Sequence, residues 1–407
     1  MTRGSYAACV VGGAGHVGAP LAIVLATRGL RTLIYDLDRA SMDRLAEGVM
    51  PFLEEGAEPL LKAMLAEGRL GFTTDPADIR DVPYVVITIG TPVDEFHNPV
   101  MRVLTDCLDT LLPHLSDRQT LVLRSTISPG VTDYVDRYLG EHGKKPKVAF
   151  CPERIVQGRA VEEIQILPQI VSGTTPAAED AAAELFGKIA PKILRLTPKE
   201  AELVKLFSNT YRYIQFAAAN QLYMIAEAEG ANYPRLYAAL KDDYPRMRDL
   251  PGPGFAAGPC LYKDTLQLVS FCDNGFSLGR SAIEVNEGLP AFVVAGLSAR
   301  YPLETMTVGL IGMAFKADSD DIRSSLSYKL RKLLRVRARR VLTTDPFVKT
   351  DPELRPLDEV IAESDVLILC APHSVYKGLE TKGKPVVDIW NFWPDAGGGP
   401  GGQADRR

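Results

Sequence analysis

The chain has 407 residues, of which 46% are hydrophobic and 24% charged, which is typical of a globular protein of two or three domains. A net charge of −5 argues against nucleic acid as a partner, and no apolar run approaches the roughly 20 residues that a membrane helix needs. The start M-T-R-G-S-Y lacks a signal-peptide core. The six cysteines form no C-x-x-C pair and the five histidines stand far apart, so we expect a cytoplasmic protein without a metal site.

A glycine-rich motif follows the first apolar run, Ala7–Val11. It reads G-A-G-H-V-G and places Gly13, Gly15 and Gly18 at the G-x-G-x-x-G positions. An apolar helical stretch and a second apolar run then lead to Asp36. The glycines permit a tight turn and close approach of a pyrophosphate, and the acid can bind both hydroxyls of an adenosine ribose while repelling a 2′-phosphate. The pattern therefore predicts NAD binding rather than NADP binding.

Two residues inside this loop, His16 and Val17, are counted with the glycines as cofactor-binding. We expect His16 to act as a spacer without chemistry of its own.

Alternating strands and helices continue to about residue 195 and predict a doubly wound parallel sheet, the NAD-binding domain 1–195. The strands after Asp36 are expected at Tyr84–Ile89, Thr120–Leu123, Lys147–Phe150 and Gln169–Val171. Helices are expected at Ser41–Glu47, Arg102–Leu112 and Ala177–Ile189.

A long helix is predicted to begin at Pro198, because T-P-K-E has the form of a capping box, and to stop at Gly230. Its length of about 45 Å, at 1.5 Å per residue, suits a connector or a dimer core. Lys205, Asn209 and Arg212 share one face of it. The alternative is that this polar face is simply solvated.

One cysteine, Cys260, follows a loop rich in glycine and proline and precedes Lys263 and Asp264, in the segment G-P-G-F-A-A-G-P-C-L-Y-K-D. A thiol can attack an aldehyde to give a hemithioacetal, which a redox cofactor can oxidise to a thioester. The alternatives are that Cys260 is a small buried residue and that Asp264 caps a helix over Thr265–Phe271.

A second α/β unit is predicted after Tyr301, and we divide the remaining chain into a central helical region 196–300, a domain 301–394 and a disordered tail 395–407. The strands are expected at Thr307–Ile311, Val341–Thr344, Val366–Cys370 and Pro385–Ile389. The second unit has no G-x-G-x-x-G, so we expect a different ligand there. Candidate ligand-binding residues follow its first strand: Lys316, Asp320, Asp321 and Arg323.

Seven ordered motifs resemble those of the nucleotide-sugar 6-dehydrogenases, the family of the UDP-glucose, GDP-mannose and UDP-N-acetylhexosamine dehydrogenases. They are G-A-G-H-V-G (13–18), G-T-P (90–92), S-T-I-S-P-G (125–130), C-P-E-R-I-V-Q-G (151–158), E-L-V-K-L-F-S-N (202–209), P-C-L-Y-K-D (259–264) and G-M-A-F-K-A-D-S-D-D-I-R (312–323). The resemblance implies two Rossmann-like domains joined by a long helix on which subunits dimerise. It also implies NAD-dependent four-electron oxidation of a sugar C6 alcohol to a carboxylate.

The resemblance also assigns catalytic roles to matching positions. Cys260 would be the nucleophile, Asp264 would help water to attack the thioester, and Lys205 and Asn209 would stabilise the oxyanion. Glu153 would act as acid and base in hydrolysis, and Thr126 would orient the alcohol or a water.

Further positions would bind ligands. Thr91 and Arg323 would lie near the cofactor, and Lys316 would meet the phosphates of the sugar nucleotide. The other substrate-binding candidates are Arg154, Gly254, Phe255 and Arg246, and Arg246 and Arg248 are candidates for reaching a neighbouring subunit's active site.

The motifs leave the substrate open. C-P-E-R-I resembles the N-acetylhexosamine branch, whereas C-L-Y-K-D resembles the glucose and mannose branches, and Ala256-Ala257 stand where the family commonly has glycine. Two other functions stay open: a two-electron dehydrogenase of the hydroxyacid type, and an inactive NAD-binding protein.

Overall fold

The computed structural model describes residues 5–94, 100–273 and 275–393. The chain divides into two compact units, Met1–Ser208 and Asn209–Arg407. The tail 395–407, expected to be disordered, lies outside the described residues. Within the described ranges, no helix is both long and apolar enough to cross a membrane.

The first unit is built on an eight-stranded sheet with the strand order β3-β2-β1-β4-β5-β6-β7-β8. The strands are β1 Ala8–Val11, β2 Thr32–Tyr35, β3 Leu70–Thr73, β4 Tyr84–Ile87, β5 Thr120–Leu123, β6 Lys147–Phe150, β7 Gln169–Gly173 and β8 Ile193–Arg195. The first six run parallel in the order of a dinucleotide-binding fold, which confirms the doubly wound prediction. The prediction that the whole sheet is parallel was wrong for β7, which runs antiparallel to β6.

Helices cover both faces of this sheet. They are α1 Gly18–Thr27, α2 Arg39–Ala46, α3 Ala57–Ala66, α4 Met101–Leu111, α5 Val131–Glu141, α6 Ala160–Ile166 and α7 Pro176–Phe186. Strand β1 is wholly buried, and its side chains alternate between two cores: Ala8 and Val10 join one, and Cys9 and Val11 join the other. Burial on both faces explains why this strand is a continuous apolar run.

The long helix α8 spans Pro198–Ala228, close to its predicted bounds. Its first turn is closed by the expected capping box: the Thr197 amide donates to Glu200 Oε2 at 2.8 Å, and the Glu200 amide donates to Thr197 Oγ1 at 3.4 Å. The division between the two units falls within this helix, after Ser208.

The second unit contains a four-stranded parallel sheet with the order β10-β9-β11-β12. Its strands are β9 Thr307–Ile311, β10 Arg340–Thr344, β11 Val366–Leu369 and β12 Val386–Asp388. Its further helices are α9 Tyr233–Lys241, α10 Leu261–Phe271, α11 Ser277–Arg300, α12 Leu326–Arg335 and α13 Leu357–Glu363. Val308 and Leu310 pack in one core, whereas Ile311 packs in another, so this sheet too is covered on both faces.

Candidate active site

The glycine-rich loop of the first unit is built for close packing of backbone on backbone. A Cβ atom on Gly18 would lie 2.5 Å from the Gly12 carbonyl oxygen, and one on Gly13 would lie 2.6 Å from that of Val10, so neither position admits a side chain. Gly15 differs, because a Cβ there would meet the Gly12 oxygen at an ordinary 3.6 Å. Packing inside the protein therefore does not require glycine at 15, whereas close approach of a ligand would.

The start of α1 and the end of β2 complete this loop. Val17 caps α1 without a side-chain hydrogen bond, and its first turn carries no acidic residue, which suits binding of an anionic diphosphate. Asp36 Oδ2 accepts from the Ala14 amide at 2.9 Å, and Oδ1 accepts from the Asp38 amide at 3.0 Å. The acid is thus fixed beside the loop, and this donor set fits the diphosphate and ribose of NAD.

His16 does more than fill space in this loop. Its ring centroid lies 3.9 Å from that of Phe52, and Gln157 Nε2 lies 3.2 Å from its Nδ1 atom. The ring therefore connects the glycine-rich loop to the segment 151–158, a contact that a spacer would not make.

The S-T-I-S-P-G loop follows β5 and is held by two hydroxyl hydrogen bonds. Thr91 Oγ1 donates to the Thr126 carbonyl at 2.6 Å, and Ser125 Oγ donates to the Ile89 carbonyl at 2.5 Å. Two further predicted positions, Thr91 and Thr126, are thereby brought together at the carboxyl ends of β4 and β5.

A buried ion pair joins Glu153, after β6, to Lys205 on α8. Lys205 Nζ donates to Glu153 Oε1 at 2.8 Å, and Glu153 Oε2 accepts from the Ile155 amide at 3.0 Å. Lys205 is only 3% exposed and Glu153 only 8%. The solvated-face alternative is therefore wrong for Lys205, although Arg212 on the same helix is exposed.

The charge state of Glu153 depends on two cations. Burial opposes ionisation, but the charge and hydrogen bond of Lys205, with a smaller contribution from Arg124, hold the pKa of Glu153 below its usual range. Arg124 was not identified from the sequence as a candidate site residue. A single arginine at the end of the apolar strand β5 was the available signal.

A second residue that the sequence did not single out is Glu202, which is fully buried on α8. Its carboxylate accepts from the Gly130 amide at 2.6 Å and from the Thr132 amide at 2.8 Å, and so caps the start of α5 from another element. Burial raises the pKa of Glu202 despite these hydrogen bonds. The bonds tie the end of the S-T-I-S-P-G loop to the helix that carries Lys205.

In the second unit, Cys260 is an exposed thiol at the N-cap of α10. The buried-cysteine alternative holds for Cys9, Cys151 and Cys370 instead. Burial raises the pKa of both Cys9 and Cys151 to about 12, so neither is a ready nucleophile. Exposure and position distinguish Cys260 from these three.

Asp264 lies one turn into α10, so the alternative that it caps this helix is wrong: the helix begins four residues earlier than Thr265. Its side chain is fully buried, and Oδ2 accepts a hydrogen bond of 2.6 Å from Asn209 Nδ2. Lys263 Nζ lies 3.6 Å from Oδ1. Cys260 and Asp264 stand at i and i+4, on one side of this helix.

The loop before Cys260 is fixed at Gly254. Asn220 accepts from the Gly254 amide at 2.8 Å and donates to its carbonyl at 3.0 Å. With φ at +150° and the Trp390 ring 2.3 Å from a would-be Cβ, this position requires glycine. Phe255 as a whole residue is 2% exposed and packs in the core of the second unit.

The third glycine of this loop, Gly258, packs on the segment after β9. A Cβ on Gly258 would lie 2.6 Å from the Phe315 ring. Arg323, in the same segment, holds Asp321 through both carboxylate oxygens, with its Nη2 2.6 Å from Oδ2. The hydrogen bonds that Arg323 donates to Asp321 raise the pKa of Arg323, and an ionised Cys260 acts in the same direction.

Three candidate substrate-binding residues remain: Lys316, Arg246 and Arg154. Lys316 is half-buried in the loop after β9, and Arg246 is exposed beside Tyr244, with its Nη1 3.1 Å from the phenol oxygen. Arg154 donates to the Pro168 carbonyl at 2.6 Å. Nothing in these contacts assigns a ligand to any of the three.

The second sheet, like the first, has a glycine loop after one strand and an aspartate after the neighbouring strand, but the aspartate has different partners. Gly312 follows β9 at φ +89°, and Asp345 follows β10 and accepts from the Met313 and Ala314 amides at 2.6 and 2.9 Å. His373, fully buried, places Nε2 3.0 Å from the same carboxylate oxygen. These bonds occupy Asp345, which agrees with a ligand other than NAD in this unit.

Comparison with known proteins identifies one family, domain by domain, along most of the chain. Residues 7–190 match the NAD binding domain of the UDP-glucose/GDP-mannose dehydrogenase family, residues 199–288 match its central domain, and residues 309–395 match its UDP binding domain. The chain belongs to this family. Its members are NAD-dependent nucleotide-sugar dehydrogenases, and so is this protein.

Individual relatives of this family member differ in the sugar named. It is 29% identical to a UDP-N-acetyl-D-mannosamine dehydrogenase of Pyrococcus horikoshii, over 90% of each chain. It is 27% identical to an NDP-N-acetyl-D-galactosaminuronic acid dehydrogenase of Ralstonia solanacearum, over 94% of this chain and 95% of the relative. The solved structure of a UDP-glucose dehydrogenase from Pyrobaculum islandicum superposes with a TM-score of 0.88 at 27% identity, over 96% of both chains.

Proposed function

We propose that this dehydrogenase oxidises the C6 alcohol of a nucleotide sugar to the carboxylate, in a four-electron reaction through a thioester on Cys260. One observation carries the proposal: the exposed thiol of Cys260 begins a helix on which the buried Asp264 stands one turn later. A thiol next to a carboxylate is the pairing that covalent capture of an aldehyde followed by hydrolysis requires.

The chemistry balances in three steps at the thiol. In each of two oxidations, bound NAD would accept one hydride while one proton is released to the medium, so that two NAD are reduced for each sugar. The C6 alcohol first becomes an aldehyde, and the Cys260 thiolate adds to its carbon to form a thiohemiacetal. Loss of the second hydride leaves a thioester. Water then adds to the thioester carbon, the C–S bond breaks, and carboxylate and thiol are released.

Asn209 and Asp264 support the final step. The amide of Asn209 fixes one oxygen of Asp264 through the 2.6 Å hydrogen bond, which leaves the carboxylate in a defined orientation for accepting a proton from water. Donors beside a tetrahedral oxyanion stabilise charge that grows during reaction. Asn209 supplies an amide donor, and Lys205, one turn earlier on α8, supplies an ammonium.

Glu153 and Thr126 complete the proposed catalytic set. Glu153, kept ionised by Lys205, can accept a proton during hydrolysis and return it. Thr126 offers a hydroxyl for orienting the alcohol or a water. In the glycine-rich loop, Gly15 and Asp36 would bind the diphosphate and ribose of NAD.

We infer that the substrate is a UDP-2-acetamidohexose. The support comes from the relatives that act on N-acetylated sugars and from Arg154 directly after Glu153. The test is turnover with UDP-N-acetyl-D-mannosamine, UDP-N-acetyl-D-galactosamine, UDP-glucose and GDP-mannose, followed by NADH formation and product mass. Preference for UDP-glucose would overturn the sugar class alone. One NADH per sugar would favour the two-electron alternative, and no turnover of any would favour an inactive NAD-binding protein.

We further infer a homodimer that forms through α8, in the cytoplasm. Four large apolar side chains on this helix are exposed: Phe207 52%, Tyr211 63%, Leu222 40% and Ile225 51%. Their spacing places them on one face, opposite Lys205 and Asn209. An apolar stripe of this length favours a covering surface, and a second copy of the same helix supplies one. Free cysteines throughout the described chain suit a reducing compartment.

A further inference from the structure

Arg124, directly after β5, is a fully buried arginine with neutral hydrogen-bond partners. Its Nη1 donates to the Cys151 carbonyl at 3.2 Å and to Gln169 Oε1 at 2.9 Å. Gln169 in turn donates from Nε2 to the Pro152 carbonyl at 3.0 Å. The two carbonyls immediately before Glu153 are therefore both held by this buried pair.

Burial of this guanidinium is energetically unfavourable. Burial lowers the pKa of Arg124, and the charge of Glu153 acts against that shift. The guanidinium carbon lies 5.0 Å from the centroid of the Phe186 ring, and Nε has no hydrogen-bond partner in the described part of the chain. Neutral donors could hold the same carbonyls at lower cost. The positive charge therefore calls for a reason beyond hydrogen bonding.

We propose that Arg124 is a positioning residue for Glu153, which holds the turn before it together with Gln169 and adds a second buried positive charge beside its carboxylate. The inference rests on the proposed function, because it gives the charge of Glu153 a role in hydrolysis.

The charged groups that act on Glu153 come from two elements. Lys205 approaches from α8 and Arg124 from the end of β5. Cys151 lies close as well, but burial raises the pKa of its thiol to about 12, so it is neutral near pH 7. Loss of the Arg124 charge therefore leaves only the Lys205 ammonium and the Ile155 amide, of these groups, to offset the burial of Glu153.

Three single variants of the full-length protein separate the two parts of this role. Arg124→Gln keeps an amide donor and removes the charge, Arg124→Lys keeps the charge and removes the planar fork, and Gln169→Leu releases the Pro152 carbonyl. The measurement is kcat/KM and kcat with NAD and the best sugar nucleotide, from about pH 3 to pH 8 so that the range includes the lowered pKa of Glu153, with thermal unfolding as the check of folding.

The acid limb is the fall of kcat/KM at low pH, where Glu153 becomes protonated. An opposite charge nearby typically shifts a carboxyl pKa by about one unit or more, so the acid limb of the Arg124→Gln profile is expected to move to a higher pH by about that amount. Arg124→Lys and Gln169→Leu are expected to keep the acid limb of wild type while kcat falls by about tenfold to a hundredfold, because the turn is misplaced. A purely structural role of Arg124 would lower activity in all three variants and leave the acid limb of each at its wild-type position.

A folded Arg124→Gln with the acid limb of wild type would overturn the proposal. If this variant does not fold, Arg124→Met, which also removes the charge, takes its place: an acid limb displaced upward supports the proposal, and the acid limb of wild type overturns it. Wild-type protein without sugar-nucleotide turnover would instead refute the proposed function, so the two failures are distinguishable.

Discussion

Lys205 Nζ lies 2.8 Å from Glu153 Oε1, and both side chains are buried. An ion pair in this setting links α8 to the turn after β6 and holds the pKa of Glu153 below its usual range. The hydrogen bond to Glu153 orients the Lys205 ammonium, a group that carries three donors. A charged, oriented donor is what stabilisation of an oxyanion demands.

We expect Lys205→Ala to lower kcat by on the order of 10²–10³ while calorimetry shows sugar-nucleotide binding nearly retained, because oxyanion charge develops only during reaction. Lys199→Ala, an exposed lysine on the same helix, is the matched control and should be neutral. Loss of binding in Lys205→Ala would make the lysine a substrate clamp.

Lys205→Ala should also destabilise the protein by about 3 kcal/mol, because it leaves Glu153 buried without its partner. The double variant Lys205→Ala/Glu153→Gln removes the stranded charge and should recover stability without recovering activity. Recovery of both would show that the activity loss came from instability.

The pH dependence of stability should differ in sign between two buried glutamates. The pKa of Glu153 is lowered, so its ionised form contributes stability above the ordinary value of 4.5, and this is lost as pH falls through the folded pKa. The pKa of Glu202 is raised, so its contribution is lost as pH rises above 4.5.

Melting temperatures measured from neutral pH to below about pH 4.5 test the direction of both pKa shifts. The loss of melting temperature in Glu153→Gln should shrink as pH falls below about 4.5, whereas that in Glu202→Gln should grow as pH falls toward it from neutrality. Parallel behaviour of the two variants would contradict the assigned shifts.

Asp36 should decide the choice of cofactor. Wild type should use NAD far more efficiently than NADP, and Asp36→Ser should lose about tenfold or more in kcat/KM for NAD, because hydrogen bonds to a charged group contribute about 1.5–3 kcal/mol. Asp38→Asn, two residues later, keeps an acceptor that can cap α2 and should leave the preference intact. Equal efficiency of wild type with both cofactors would refute this role.

The exposed stripe of α8 should control assembly. Light scattering at micromolar concentration should show a dimer for wild type and a monomer for Phe207→Asp/Ile225→Asp, because two charges would be buried in the interface. Val336→Asp alters a residue that is 82% exposed away from α8 and should remain dimeric. A monomeric wild type would refute the homodimer.

Local patterns in the sequence were sufficient for the glycine-rich loop, Asp36 and the capping box at Thr197. Each depends on neighbours along the chain, and strand β5 was placed at its observed bounds for the same reason. The start of α10 was missed because glycine and proline precede it. Helix α11 was missed because Pro290 and several glycines interrupt its apolar period.

Pairings between distant residues were not predictable from the same patterns. Lys205 reaches Glu153 across 52 residues, and Asn209 reaches Asp264 across 55. Which polar side chains are buried together depends on helix packing, which a single sequence does not specify. Arg124 and Glu202 are single charged residues without a spacing signal, so only the fold reveals their partners.

The most direct test of the account is the number of NADH formed per sugar nucleotide by Cys260→Ser, with the product identified by mass. Wild type should form two NADH and the carboxylate. Cys272→Ser, which alters the other exposed cysteine at the far end of α10, is the matched control and should behave like wild type. Cys260→Ser should form no carboxylate, because a serine hydroxyl cannot supply the thiolate that the thioester route needs. Two NADH and a carboxylate from folded Cys260→Ser would contradict the proposed chemistry.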